Sequence, residues 1–134
     1  MLNGNWLVVI RGLPGSGKSS IGELMATVPG AVLLEADQLP GRYDCEGQII
    51  YKTEAHEWLY YRIKHYMTLD QPVIIVTGVY HLLEHIKPLK QLADQHDYNF
   101  ALLKAERSFK SEHHVPGYVM ERFKVDWEDW EELE

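Results

Sequence analysis

Residues 6–19 read Trp-Leu-Val-Val-Ile-Arg-Gly-Leu-Pro-Gly-Ser-Gly-Lys-Ser, an apolar run that passes directly into Gly12-Leu13-Pro14-Gly15-Ser16-Gly17-Lys18-Ser19. This is a strand followed by G-x-x-x-x-G-K-[ST], a spacing that specifies a chemical task. Gly12, Gly15 and Gly17 let backbone N–H groups converge on phosphate oxygens with no Cβ in the way. Lys18 reaches the β- and γ-phosphates, and the Ser19 hydroxyl ligates Mg²⁺. The helix starting near Lys18 aims its positive dipole end at the same anion. Ile21, Leu24 and Met25, with Val28 one turn further, supply the helical pattern such a motif needs. The sequence therefore predicts that ATP and Mg²⁺ bind here. The expected cradle is Gly12, Pro14, Gly15, Ser16, Gly17, Lys18, Ser19 and Ser20, with Ser19 as the metal ligand.

Outward from this motif the pattern alternates strand and helix. A short buried strand is expected at Ala31-Val32-Leu33-Leu34-Glu35, ending at Asp37. Residues 38–50 contain the breakers Pro40, Gly41 and Gly47 and read as loop. A helix over about 51–68 carries Ala55, Trp58, Leu59, Ile63, Tyr66 and Met67 largely on one stripe, so its aromatic residues read mainly as core. Val73-Ile74-Ile75-Val76 suits a central parallel strand covered on both faces. A helix at about 81–95 contains Pro88, which predicts a break or kink. A fourth strand is expected from Tyr98 to Leu103, and a short helix over 116–124. Such βα units imply an α/β three-layer sandwich of the P-loop NTPase type. Its parallel sheet would have about four strands, with ligands at the strand C-terminal ends.

Composition sets the limits. A chain of 134 residues suits one domain, read here as residues 1–125, with 126–134 as an acidic tail. That tail holds six acids and no base, and removing it takes the net charge from −7 to about −1. Broad attraction to nucleic acid is therefore disfavoured, while a local basic groove is still compatible with the body. A single cysteine, Cys45, excludes an internal disulfide and fits a reducing compartment. No apolar run approaches a membrane span, and the expectation is a cytoplasmic protein. Trp127, Trp130 and Leu133 would line one narrow stripe if the tail were helical, which offers a docking surface for the domain or a protein partner.

Several further segments fall in a familiar order. Arg11 to Ser20 contains the phosphate loop, and Glu35-Ala36-Asp37 comes after it, at the end of the second strand. Gly41-Arg42-Tyr43-Asp44, Ala55-His56-Glu57-Trp58, His113-His114-Val115-Pro116 and Met120-Glu121-Arg122-Phe123 come next. Over residues 6–124 the chain resembles small P-loop kinases related to polynucleotide 5′-hydroxyl kinase, in the AAA-type/zeta-toxin-like group. The resemblance implies that Asp37, at the end of a strand beside the phosphate loop, orients and deprotonates an acceptor hydroxyl. It also implies that Lys110, with Arg107 and Lys104 as alternatives, supplies a lid cation. His56 reads as a packed histidine, and His113-His114 lacks partners with metal-ligand spacing.

The chain also departs from that family. Thr77 stands where the central strand usually ends in an acid, Gln38 replaces a second Asp, and Lys110-Ser111 replaces an Arg-Asn pair. The leading expectation is a kinase with Asp37, Lys18 and Lys110 as catalytic residues. It would transfer the γ-phosphate of ATP to a nucleoside, a nucleotide, a single-stranded nucleic acid 5′ end or another small hydroxyl acceptor. A second reading is a nucleotide-binding regulator or inhibitor that keeps the scaffold and has lost turnover through Thr77 and Lys110. A third is a kinase of the sugar, antibiotic or zeta-toxin type.

Overall fold

Continuous apolar runs such as Leu7-Val8-Val9-Ile10 and Val73 to Val76 have no polar face to show to water, so both faces of their sheet must be covered. A computed structural model of the chain describes residues 4–13, 16–35, 52–80, 82–105 and 127–129. Its elements are β1 (Trp6–Arg11), α1 (Lys18–Met25), β2 (Ala31–Glu35), α2 (Lys52–Thr68), β3 (Val73–Gly78), α3 (Leu83–Gln95) and β4 (Asn99–Lys104). The four strands form one sheet in the order β2-β3-β1-β4. Every pairing is parallel, with Trp6 level with Val73 and Asn99, and Ala31 level with Val73. This is the α/β architecture and the four-stranded parallel sheet that the sequence predicts.

The order of connections decides which face each helix covers. The chain steps one way from β1 to β2, then the opposite way from β2 to β3 and from β3 to β4. Crossovers of a single hand then place α1 on one face and α2 with α3 on the other. The packing agrees. Val8, Ile10 and Ile75 pack with Ile21, Met25 and Ala26 of α1. Leu7, Val9, Leu34, Ile74 and Val76 pack with Leu59, Ile63 and Met67 of α2 and with Ile86, Leu89 and Leu92 of α3. Because β1 and β3 are neighbours whose following helices lie on opposite faces, a crevice opens beyond their C-terminal ends.

The structure differs from the sequence pattern in several places. Periodicity turns Leu24 of α1 inward, yet Leu24 is 72% exposed and Val28 is exposed as well. The reason is Gly22, which faces the sheet: a Cβ there would lie 2.9 Å from Thr77 Cγ2 and 3.0 Å from Leu33 Cδ1. That close approach turns Ile21 and Met25 inward and carries Leu24 to the far side. α3 runs unbroken through Pro88. Pro88 forfeits a bond to the Glu84 carbonyl, but both residues are exposed, so water can satisfy it. β3 continues two residues past its apolar run, because the pairing of Thr77 with Ile10 and Gly78 with Arg11 is a backbone matter. In α2, Trp58, Tyr60 and Tyr66 pack against the core as expected, whereas Tyr61 is exposed. The loop expected at 38–50 and the helix expected at 116–124 lie outside the described residues. Among the described residues no helix is long and apolar enough to cross a membrane.

Gly22→Val tests how tightly α1 must approach. Valine gains only a few tenths of a kcal/mol of helix propensity over glycine. Its side chain must displace Thr77 and Leu33, which costs about 1–3 kcal/mol. The expected outcome is a lower urea midpoint with an unchanged slope. A midpoint at or above that of the wild type would show that α1 can retreat freely.

Candidate active site

β1 ends at Arg11, and the chain turns at once over the sheet's C-terminal edge. Gly12 is buried there, and a Cβ on it would collide with the Ser16 side chain and approach the Ala105 carbonyl oxygen to 3.0 Å. The Ser16 N–H donates to the Leu13 carbonyl at 3.0 Å, which closes the first turn of the loop. Gly17 precedes the helix with φ +92°, a left-handed conformation that side chains resist. The first N–H to find a helical acceptor is that of Ile21, which bonds to the Gly17 carbonyl. The N–H groups of Lys18, Ser19 and Ser20 precede it and have no intrahelical acceptor, and Gly17 has no side chain to cap them. The first turn carries no acid to compete for its dipole. Ser16 is 3% exposed, and its Oγ has no hydrogen-bond partner among the described residues. A buried hydroxyl of this kind costs about 1–3 kcal/mol unless something fills its hydrogen bond. Phosphate oxygens would fill it and would also meet the N–H groups that open the helix, so the residues present fit a nucleotide.

Of the predicted cradle, Gly12, Ser16, Gly17, Lys18, Ser19 and Ser20 are thus brought together along the β1–α1 connection. Pro14 and Gly15 lie outside the described residues, as do Asp37 and Lys110. Lys18 and Ser19 are half-buried and Ser20 is exposed. Among the described residues no group of three His, Cys, Asp or Glu side chains could hold a metal ion. Mg²⁺ that arrives with a nucleotide draws on phosphate oxygens and water as well as side chains, and Ser19, half-buried in the first turn of α1, is the side chain predicted to join them.

Thr77 is 3% exposed at the end of β3, where the family carries an acid. Its Oγ1 donates to Glu35 Oε1 at 2.9 Å, across the register pair that joins β2 to β3. Sequence reasoning singles out Thr77 and passes over Glu35 as a ligand. Only the pairing of the strands shows that the two stand side by side.

Beyond β3, a pocket of about 440 Å³ opens between α2 and α3. His56, Tyr60, Tyr80 and His85 line it together with Glu57 and Glu84. The His56 and His85 rings stack at 4.2 Å, and His56 tilts against Tyr80 at 5.8 Å. His56 is thus a packed residue, as expected, at the wall of a cavity on the crevice side.

Nothing in the sequence marks Arg11 as a structural centre, yet it is one. Its guanidinium, 2% exposed, donates to the Tyr80 carbonyl from Nε at 3.1 Å and from Nη2 at 2.8 Å. Those bonds hold Tyr80 at φ +46°, a conformation that costs a non-glycine residue about 1–3 kcal/mol. Nη2 also donates to the Glu128 carbonyl at 2.5 Å, and the Trp127 ring covers the guanidinium at 4.1 Å. Glu128 Oε1 accepts from the N–H of Leu83 at 2.7 Å, at the first turn of α3. Lys104 Nζ lies 5.0 Å from the centre of the Trp127 ring and 3.8 Å from Asp129. Burial lowers the Arg11 pKa from its usual value, and the carboxylates of Asp129 and Glu128 act in the opposite direction. Residues 127–129 are not helical, and they form a strap in which Trp127 turns onto Arg11. Trp130 and Leu133 lie outside the described residues.

Known proteins resemble this chain in sequence or in fold. The profile of a family described as AAA domain matches residues 7–110. NEDD4-binding protein 2 of Homo sapiens is 34% identical over 96 residues, covering 69% of this chain and 5% of that protein. The chain therefore spans only a small part of that relative. A gluconokinase from Sinorhizobium meliloti 1021 superposes with a TM-score of 0.64 at 19% identity, covering 98% of this chain and 80% of its own. Chaetomium thermophilum Kti12 in complex with ADP-AlF3 gives a TM-score of 0.66 at 17% identity, covering 92% and 80%. At these identities the likeness shows the fold, which is that of P-loop kinases.

Removing residues 125–134 tests the strap. The helix-capping bond is worth about 1 kcal/mol and the cation–π contact about 0.5–1 kcal/mol. The exposed Lys104–Asp129 pair adds little. The truncated protein should therefore melt several degrees lower by calorimetry. Coincident melting curves would show that these contacts contribute nothing.

Proposed function

The chain belongs to the AAA domain family, and from that premise we propose that it is an ATP-dependent kinase. It transfers the γ-phosphate to a hydroxyl of a nucleoside, a nucleotide or a polynucleotide 5′ end. The observation that carries the reading is the cradle itself: a loop with no room for a Cβ at Gly12, a buried Ser16 hydroxyl with no partner among the described residues, and a helix N-terminus behind Gly17 that has no side-chain cap. The resemblance to polynucleotide 5′-hydroxyl kinase supports the acceptor class. The complex of Kti12 with ADP-AlF3 supports a nucleotide in a fold of this kind.

In this reading the loop N–H groups, Ser16 and Lys18 hold the β- and γ-phosphates. A Mg²⁺ ion held here would supply positive charge to offset that of the transferred group. Ser19 presents its hydroxyl to that ion. Asp37 follows β2 by two residues and orients the acceptor hydroxyl. It takes the proton as the acceptor oxygen bonds to the γ-phosphorus, while the bond from phosphorus to the β–γ bridging oxygen breaks and ADP leaves. Lys110 brings a cation to the same charge. A lysine gives a point charge in place of arginine's bidentate fork, which predicts modest turnover.

A neutral Thr77 at the end of β3 supports a second reading, a nucleotide-binding regulator that has lost transfer. ATP consumption with and without a 5′-hydroxyl oligonucleotide or a nucleoside separates the two. Acceptor-stimulated turnover supports the kinase, and tight binding without turnover supports the regulator.

Two variants test the assignment of roles. Lys18→Ala should remove a charge-assisted contact of about 1.5–3 kcal/mol, a loss of roughly ten- to a hundredfold in ATP affinity. Unchanged affinity in a folded variant, measured by calorimetry, would contradict the cradle. Asp37→Asn should keep ATP affinity within a few-fold while transfer falls by about 10²–10⁴. Equal loss of both would assign Asp37 to the fold or the metal.

A further inference from the structure

Resting on the proposed nucleotide-binding role, we propose that Glu35 supplies the carboxylate for the nucleotide-bound Mg²⁺, oriented by Thr77, in place of an acid at the end of β3. The starting point is the 2.9 Å hydrogen bond from Thr77 Oγ1 to Glu35 Oε1. Ile10, Thr77 and Glu35 stand in one row across β1, β3 and β2. That row lies on the α1 face, because Ile10 packs in the cluster with Ile21 and Met25, and Thr77 Cγ2 stands against Gly22. Gly22 is one helical turn after Ser19, the predicted metal ligand. The carboxylate is therefore on the metal's side of the sheet, at its C-terminal edge.

The chemistry of the pair accounts for the departure at position 77. A carboxylate has about four acceptor sites, and Thr77 occupies one of them. With its hydroxyl committed as donor, Thr77 fixes the direction of the Glu35 carboxylate. An aspartate at 77 would instead bring a second carboxylate to about the separation now spanned by the Thr77–Glu35 hydrogen bond. Two carboxylates that close cannot both ionise without a cation between them. An acid on β3 and an acid on β2 are therefore alternative means of providing one negative charge here. This chain has the β2 version. A hard cation with phosphate and hydroxyl ligands needs one or two carboxylates, directly or through water.

The test measures binding, so it is independent of turnover. ADP affinity is measured by calorimetry in EDTA and in excess Mg²⁺ for the wild type, Glu35→Gln, Thr77→Val and the double variant Glu35→Gln/Thr77→Asp. Glutamine keeps an acceptor for Thr77, so a purely structural role for Glu35 would survive that change. Wild-type protein should bind ADP at least tenfold more tightly with Mg²⁺ than without. Glu35→Gln should abolish most of that gain while metal-free affinity stays within about twofold. The double variant, which returns one carboxylate to the row from β3, should recover it. Thr77→Val keeps the volume and removes the donor, and it should lose part of the gain; it also stands in should Glu35→Gln fail to fold. A full Mg²⁺ gain in Glu35→Gln, or no gain in the wild type, overturns the assignment. Absence of any ADP binding by folded wild-type protein overturns the cradle instead, and this assignment with it.

Discussion

The constraint on which the molecule depends is the position of β1, hydrogen-bonded in parallel to β3 on one side and β4 on the other. A slip of one residue would carry Leu7 and Val9 from the α2/α3 face to the α1 face and leave both cores wrong. The register is locked by burial, not by any single contact. Once it is locked, Arg11 stands level with Gly78 and Lys104. Three strands then leave the sheet at the same height, and their exits build the crevice. The Ala105 N–H donates to the Arg11 carbonyl at 2.8 Å, so pairing continues one step past the end of β4. This places the Ala105 carbonyl under Gly12 and excludes a side chain from the start of the loop.

Charge at the crevice is handled differently on its two sides. On the β1/β4 side a buried guanidinium would carry a desolvation cost of several kcal/mol if left alone. Carbonyl oxygens of Tyr80 and Glu128 and the face of Trp127 surround it, with the Asp129 carboxylate nearby. The acids of the tail are thus partly local counter-charges for Arg11 and Lys104. Arg11 is committed to holding Tyr80 and the strap, which leaves the phosphate loop to Lys18 among the cations of that motif. On the β2/β3 side the described residues set a carboxylate, Glu35, against the neutral Thr77 hydroxyl.

The fold was legible because its strands are buried on both faces and read as unbroken apolar runs, and because G-x-x-x-x-G-K-S dictates a phosphate loop and a helix after β1. Legibility failed wherever the answer lay in an interstrand relation. Nothing in the segment Leu34-Glu35-Ala36 marks Glu35 as special; its meaning comes from standing opposite Thr77. Arg11 reads as the last residue of a strand, and only the turn at Tyr80 gives its guanidinium an acceptor. Leu24 follows helical periodicity and is nevertheless exposed, because Gly22 lets α1 sit so close that its inward face is narrower than its apolar pattern. Pro88 breaks helices by rule, but an exposed position one turn into α3 removes most of the penalty. Trp127 fits a helical stripe, and the attraction of a cation for its ring face was the stronger organiser.

In the proposed reading, binding and transfer rest on separate parts of this chain, which is why two functional readings share the same observations. The cradle is built by β1 and α1, elements fixed by the central register and by the contact of Gly22 with Thr77 and Leu33. The residues assigned to transfer, Asp37 and Lys110, follow the edge strands β2 and β4 in the chain. An edge strand is paired on one side only, so changes there leave the centre of the sheet intact. On that reading, substitution can weaken transfer while the nucleotide site persists, and lysine at position 110 in place of the family's arginine would be a step in that direction. Nucleotide affinity then measures the integrity of β1 and α1. Acceptor-dependent turnover would measure whether the chain segments after β2 and β4 supply the proposed base and cation to a bound nucleotide.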